Sequence, residues 1–245
     1  MQIQDKVVVV TGASSGIGAA TVKQLVASGA KVVFGARRTA KLAKIAADLP
    51  ADQIAYRATD VTQLADVQAL VDLAVLQFGK VDALFNNAGI MPTAPLAADH
   101  RQEWQQMLDI NVMGVLNGIS AVLPVMHRQG YGHILATDSI AGYKVFADSA
   151  VYCGTKFAVR AIMEGLRQEE LKNHIKTTLV APGMVDTELY KTIADPQVAQ
   201  DLVKTWHQPE HSLRPEDLAD LVVYAIGLPQ RVAINEVKIR PAGEL

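Results

Sequence analysis

Short apolar runs rich in valine, isoleucine and phenylalanine alternate along the chain with longer stretches whose apolar residues recur at helical spacing. The pattern predicts a strand over 6–10, then a helix over 17–28 closed by Gly29. Strand and helix return over 31–34 and 40–49, and again over 53–57 and 64–78, where Gly79 supplies the stop. A fourth strand is expected over 81–85, followed by one or two long helices within 100–128 and a fifth strand over 133–136. The remaining pattern gives a helix over 151–172, a strand over 176–180, a helix over 215–226 and a seventh strand over 236–239. Strands this apolar are expected to be buried on both faces. Repeated strand–helix units joined by right-handed crossovers make a parallel sheet covered by helices on both sides, the doubly wound α/β class. In that class ligands bind at the carboxyl ends of the strands.

Composition narrows the picture without redirecting it. Half of the 245 residues are hydrophobic and 20% are charged, which excludes disorder, collagen and coiled coil. No low-complexity linker divides the chain, so one domain over 1–245 is expected, a size that α/β folds of about 250 residues reach as single units. Twenty-three basic residues against 25 acidic ones leave a net charge of -2, and hence no positive field to hold nucleic acid. The single cysteine, Cys153, rules out an intramolecular disulfide and points to a reducing compartment. The first residues, Met1 to Lys6, are too polar for a signal peptide, and the absence of an uninterrupted apolar span argues against a membrane. A cytoplasmic location is expected.

The first strand runs into Thr11-Gly12-Ala13-Ser14-Ser15-Gly16-Ile17-Gly18, where a helix opens. Gly12 permits a tight turn, Gly16 lets the backbone approach a pyrophosphate, and Gly18 lets the helix pack close to the strand. The helix N-terminus offers amide donors and a positive dipole to the phosphates. Ser14, Ser15 and Ile17 share this loop. The second strand ends at Arg37-Arg38, with no acidic residue to accept a ribose 2′-hydroxyl. Guanidinium groups suit a 2′-phosphate instead, which favours NADP; a solvated basic loop is the alternative. Asn86-Asn87-Ala88-Gly89 closes the fourth strand with residues that can orient backbone groups at the central sheet, or simply make a turn. Tyr152 and Lys156 lie one helical turn apart on one face, so both side chains can reach one point. A free phenol has a pKa of about 10, and a neighbouring ammonium favours its anion. Ser139 follows the fifth strand at the edge where such sheets do chemistry.

In this order and spacing the motifs resemble the short-chain dehydrogenases/reductases over essentially the whole chain. The resemblance rests on Thr11-Gly12-x-x-x-Gly16-x-Gly18, Asn86-Asn87-Ala88-Gly89, Asn111, Ser139, Tyr152-x-x-x-Lys156 and Pro182-Gly183. It implies a seven-stranded Rossmann sheet, a nicotinamide cofactor and reversible hydride transfer between carbonyl and alcohol. By the same resemblance Tyr152 is the general acid and base, and Ser139 holds the substrate oxygen. Lys156 binds the nicotinamide ribose and lowers the tyrosine pKa, and Asn111 anchors a water linking Lys156 to solvent. Asp60-Val61 matches the position beside the adenine, with Asn87, Ala88 and Gly89 nearby. Pro182, Gly183, Val185 and Thr187 match the nicotinamide end. The segment 239–245 lacks the glycine-rich close of many relatives and looks nearer to NADP-dependent ketone reductases and oxidisers of hydroxy amino acids. The family's habit of pairing a long helix across subunits implies a homotetramer, with a dimer as fallback.

The long connection 184–211 carries Met184, Val185, Leu189, Tyr190, Ile193 and Trp206 and reads as a substrate lid, with Met184 and Tyr190 as substrate contacts. With mostly apolar walls at 90–96 and 140–146, it predicts a ketone or secondary alcohol bearing an apolar group. A basic lid residue such as Lys191 would overturn that choice over a charged acid, and a small hydroxy acid or hydroxy amino acid is the alternative substrate. A non-catalytic dinucleotide sensor is the reading from a different class. No metal is expected: Pro209 breaks the spacing of His207 and His211, and His100, His127, His133 and His174 are expected to be capping or surface groups. Cys153 and Trp104 are expected to be packing residues.

Overall fold

Valines at consecutive positions of β1 (Val7–Thr11) are all buried because helices cover both faces of the sheet around it. Val8 and Val10 point into one core, while Val7 and Val9 point into the other, the period-two alternation of a strand. The computed structural model describes residues 3–193, 199–200, 203–204 and 210–243. The other strands are β2 (Lys31–Ala36), β3 (Ile54–Ala58), β4 (Ala83–Asn86), β5 (Gly132–Thr137), β6 (Ile175–Pro182) and β7 (Glu236–Ile239). They form one parallel seven-stranded sheet in the order β3-β2-β1-β4-β5-β6-β7. The chain therefore reverses direction across the sheet between β1 and β4, and a crevice opens there at the strand carboxyl ends.

The first core packs α1 (Gly16–Ala27), α2 (Thr39–Ala47) and the late helix Pro215–Gly227 onto one face, through Leu25, Leu42, Leu218 and Val222. The opposite face carries α3 (Leu64–Phe78), a long helical run from Arg101 to Gln129, and the helix Ala150–Glu169. The long run divides into α4 (Arg101–Met107), a π-helical turn Leu108–Met113 and α5 (Gly114–Gln129). The helix Ala150–Glu169 is α6, and Pro215–Gly227 is α7. By length and hydropathy the run of 29 residues would cross a membrane, but half of its most apolar window is buried in the protein. Val115, Ile119, Val122 and Met126 lie in the sheet core.

Two expectations need correction. The outer strands are not buried on both faces: positions along β3 and β7 alternate between half-buried and exposed, because an edge strand has a single neighbour and incomplete helical cover. His133 is no surface or capping group. It sits fully inside the sheet on β5, its Nε2 2.7 Å from Thr178 Oγ1 on β6. Thr178 in turn donates to Ile234 O at 2.6 Å, so it accepts from the ring and fixes the proton on Nε2.

Candidate active site

The first strand-to-helix turn is built by exclusion of side chains. Gly12 has φ +66 and Gly16 has φ +53, the left-handed region that glycine occupies without strain. A Cβ at Gly12 would lie 2.7 Å from Ala88 Cα, so the turn lies directly against the end of β4. Ser15 stands at the N-cap of α1 yet makes no capping hydrogen bond with its side chain. Its hydroxyl instead accepts from Arg38 Nη2 at 2.6 Å, and Ser14 Oγ accepts from Arg38 Nε at 3.0 Å. No acidic residue stands in the first turn of α1. The amides and positive end of the helix dipole are thus left to an external anion.

Asn87 ties three strand ends together. Its Nδ2 donates to Thr11 O and Gly12 O, both at 3.3 Å, and its Oδ1 accepts from Thr137 Oγ1 at 3.0 Å. Asp60 is held by its own turn, its Oδ1 accepting from Thr62 N at 3.0 Å and Thr62 Oγ1 at 2.9 Å. These bonds shape one cavity of about 960 Å³ along the carboxyl edge of the sheet. Of the residues expected at the coenzyme, Gly12, Ser14, Ser15, Gly16, Ile17, Arg37, Arg38, Asp60, Val61, Asn87, Ala88, Gly89, Pro182, Gly183, Val185 and Thr187 line it. Gly18 does not, because it packs behind the loop against Asn87 and the Gly12 carbonyl.

Ser139, Tyr152 and Lys156 line the same cavity. Ser139 caps the 3-10 turn Ile140–Gly142, accepting from Ala141 N at 3.1 Å. Burial raises the Tyr152 phenol above its usual pKa of 10.0; a hydrogen bond with Ser139 opposes the shift and the charge of Asp138 adds to it. Lys156 Nζ donates to Thr137 O at 2.7 Å and stands 5.7 Å from the centre of the Tyr152 ring. Burial lowers its pKa, and Asp138 partly restores it. The phenol of this pocket is therefore a held proton.

Asn111 lies in the π turn and does not line the cavity. Its side chain makes three hydrogen bonds: Nδ2 donates to Ile90 O at 2.9 Å and Thr155 Oγ1 at 3.1 Å, and Oδ1 accepts from Ile90 N at 2.9 Å. It locks the wall segment at Ile90 to α6, one position away from Lys156.

The far end of the cavity is mostly apolar, with Ile90, Met91, Pro95, Phe146, Met184 and Leu189 on its walls and His100, Asp148 and Lys191 among them. Met184 lines this wall. Tyr190 does not line the cavity: in the 3-10 turn Glu188–Thr192 its neighbours Leu189 and Thr192 face the wall instead. Thr192 Oγ1 accepts from Met91 N at 2.9 Å, joining this turn to the opposite wall. The return of the connection is tied at its base by Leu213 N to Met184 O at 2.9 Å and Asp186 N to Leu213 O at 2.8 Å. Trp206, His207 and Pro209 lie outside the described residues. His100 is an exposed residue at the N-cap position of α4 that also borders the cavity, with Nδ1 3.0 Å from Glu103 Oε2.

Asp138 and Glu188 are among the cavity residues that escaped the sequence reading. Asp138 is a buried carboxylate beside Ser139, and burial pushes its pKa up to about 6 against the pull of Lys156. Its signal was visible as an acid at the carboxyl end of an apolar strand. Glu188 pairs with Arg38 and Lys41. Nothing local in the sequence announces contacts so distant along the chain.

A family model described as short chain dehydrogenase matches residues 6–197. An uncharacterised oxidoreductase of Staphylococcus saprophyticus is 48% identical over 244 residues, covering 99% of this chain and 98% of the relative. The structure superposes on the closed form of a serine dehydrogenase complexed with NADP+ with TM-score 0.91 at 28% identity, covering 98% of this chain and 96% of the other. A short-chain dehydrogenase/reductase from Burkholderia phymatum in complex with NAD gives TM-score 0.88 at 28% identity, over 97% and 90%. With a matching family model over most of its length, a glycine turn open to an anion and Ser139, Tyr152 and Lys156 on one cavity, the chain belongs to the short-chain dehydrogenase family of oxidoreductases.

Proposed function

We propose that this protein is an NADP(H)-dependent oxidoreductase that interconverts a ketone or aldehyde with the corresponding alcohol, on a small substrate bearing an apolar group. The observation that carries the reading is the meeting of Ser139, Tyr152 and Lys156 on the cavity that the glycine turn opens. The nicotinamide coenzyme, when bound, supplies or takes up the hydride. Tyr152 keeps its proton at neutral pH and gives it from Oη to the carbonyl oxygen during reduction. Ser139 orients the same oxygen. Lys156 binds the nicotinamide ribose, and its charge favours the phenolate that reduction leaves behind. Asn111 acts through Ile90 and α6 by holding both in place.

Arg37 and Arg38 directly after β2, with no acid adjacent to them in sequence, support the preference for a 2′-phosphate. The apolar wall supports the substrate class. A second reading, a small hydroxy acid or hydroxy amino acid, draws support from His100 and Lys191 on that wall and from the likeness to a serine dehydrogenase. We place the enzyme in the cytoplasm as a homotetramer formed through its long helices. Tyr152→Phe is the test of the chemistry. With a panel of ketones, alcohols and hydroxy acids followed at the nicotinamide absorbance, NADPH is expected to outperform NADH. The variant is expected to lose about 1000-fold or more in turnover while binding coenzyme as before. Coenzyme binding with no turnover of any substrate by the unmodified protein would favour the dinucleotide sensor.

A further inference from the structure

Glu188 begins the 3-10 turn that follows β6 and gathers three cations from two sides of the cavity. Its Oε2 lies 3.0 Å from Arg38 Nη1 and 2.6 Å from Lys41 Nζ, and its Oε1 lies 2.9 Å from Lys191 Nζ. Arg38 is the hub, since its remaining donors reach Ser14 and Ser15 in the glycine turn. The carboxylate therefore reaches across the coenzyme end of the cavity, from the segment after β6 to the start of α2. It stands on the cations that a phosphate on the adenosine ribose would need. Lys41, Lys191 and Arg38 hold its pKa down at about 2, so it carries its charge at any pH where the protein would be used.

We propose that Glu188 is a coenzyme-selectivity residue. A coenzyme bearing a 2′-phosphate must displace its carboxylate from Arg38 and Lys41, whereas one lacking that phosphate binds with the ion pairs intact. The inference rests on the nicotinamide-coenzyme reading and deepens it. Two features make the exchange feasible. All three cationic side chains are exposed, and exposed pairs of this kind are individually weak and screened by salt. A phosphate monoester brings nearly two negative charges and three acceptor oxygens against the single charge of a carboxylate. Glu188 thus lowers the affinity for the phosphorylated coenzyme without excluding it.

The test is calorimetric titration of adenosine 2′,5′-bisphosphate and of 5′-AMP into the full chain and into Glu188→Gln, at low and at moderate salt. Neutralising the carboxylate is expected to tighten the bisphosphate about three- to tenfold and to leave 5′-AMP within about twofold, with the gain shrinking as salt rises. In the background of Arg38→Ala the gain is expected to fall. Equal tightening of both ligands would overturn the proposal, since Glu188 would then repel phosphate in general. Weakening of both would also overturn it, making Glu188 a clamp that closes over the ligand, and so would no change in either. A parent protein with no preference for the bisphosphate, alongside a selective Glu188→Gln, would sink the NADP preference and still support the role of Glu188.

Discussion

Asp138 is a costly side chain in the site. It is 1% exposed, its carboxylate oxygens have no side-chain hydrogen-bond partner among the described residues and only the Ser139 amide approaches them, and both oxygens press so close to Gly142 that a Cβ there would come within 2.6 Å of them. Burial raises its pKa from 3.8 to about 6, while Lys156, the Ser139 amide and Arg160 pull it down and Glu236 pushes it up. A carboxyl whose folded-state pKa lies above its unfolded value favours the native state at low pH. That contribution is complete below about pH 4 and is lost as pH rises through 6. His133 has the opposite slope. Burial, then Lys176 and Lys6, lower its pKa from 6.5 to about 3, so its contribution is present above pH 6.5 and is lost as pH falls towards 3. Between pH 4 and 6 the two slopes largely cancel. Asp138→Asn should leave the His133 slope alone, with up to about 3 kcal/mol of added stability at pH 8 and little change at pH 4. Urea unfolding at the two pH values checks this; a loss of stability at pH 8 would mean that the carboxylate is held by a partner. The same ionised carboxylate raises the pKa of both Tyr152 and Lys156 and so favours the protonated, donating form of the pair.

Among the elements, the long helical run shows where local pattern stops informing. The bounds of α3 were legible because apolar spacing ends at Gly79, which takes the left-handed C-cap conformation at φ 80. The strands were legible because valine-rich runs recur between helices. The π turn Leu108–Met113 was not, since the wider local winding barely alters the apolar spacing across a helix of this length. The short 3-10 turns escaped for lack of a period to detect. Of the site, the glycine turn and the Tyr152–Lys156 spacing are local and could be read. The burial of His133 and the reach of Glu188 depend on partners brought close only by the sheet. Asn111 tests the π turn directly. Its three side-chain hydrogen bonds join the turn to Ile90 and Thr155, and Asn111→Ala leaves the Ile90 amide and carbonyl without them. A loss of about 2–3 kcal/mol in unfolding free energy is expected, with turnover falling more than coenzyme affinity because Lys156 follows Thr155 on α6. Unchanged stability would mean that water replaces the amide at no cost.

At the scale of the whole molecule, the edges of the sheet and the outer helices have different surfaces. The β7 edge carries Glu236 and Lys238, charges that discourage strand pairing between molecules. The π turn and α6 pack side by side and leave Leu108 45%, Met113 46% and Phe157 40% exposed. Large apolar side chains on neighbouring elements are what a helix-paired assembly would cover. Phe157 follows Lys156, and successive helix residues point about 100° apart, so Lys156 enters the cavity while Phe157 faces outward. Covering Phe157 with a second subunit would therefore steady the helix that carries Tyr152 and Lys156. Phe157→Glu is expected to lower the mass measured by light scattering after size exclusion and to remove the dependence of Tm on protein concentration. Turnover should fall with the mass while the isolated subunit stays folded, because Phe157 lies outside both cores. An unchanged mass would place the subunit contact elsewhere, and a reduced mass with full turnover would show that α6 holds its geometry without a neighbour.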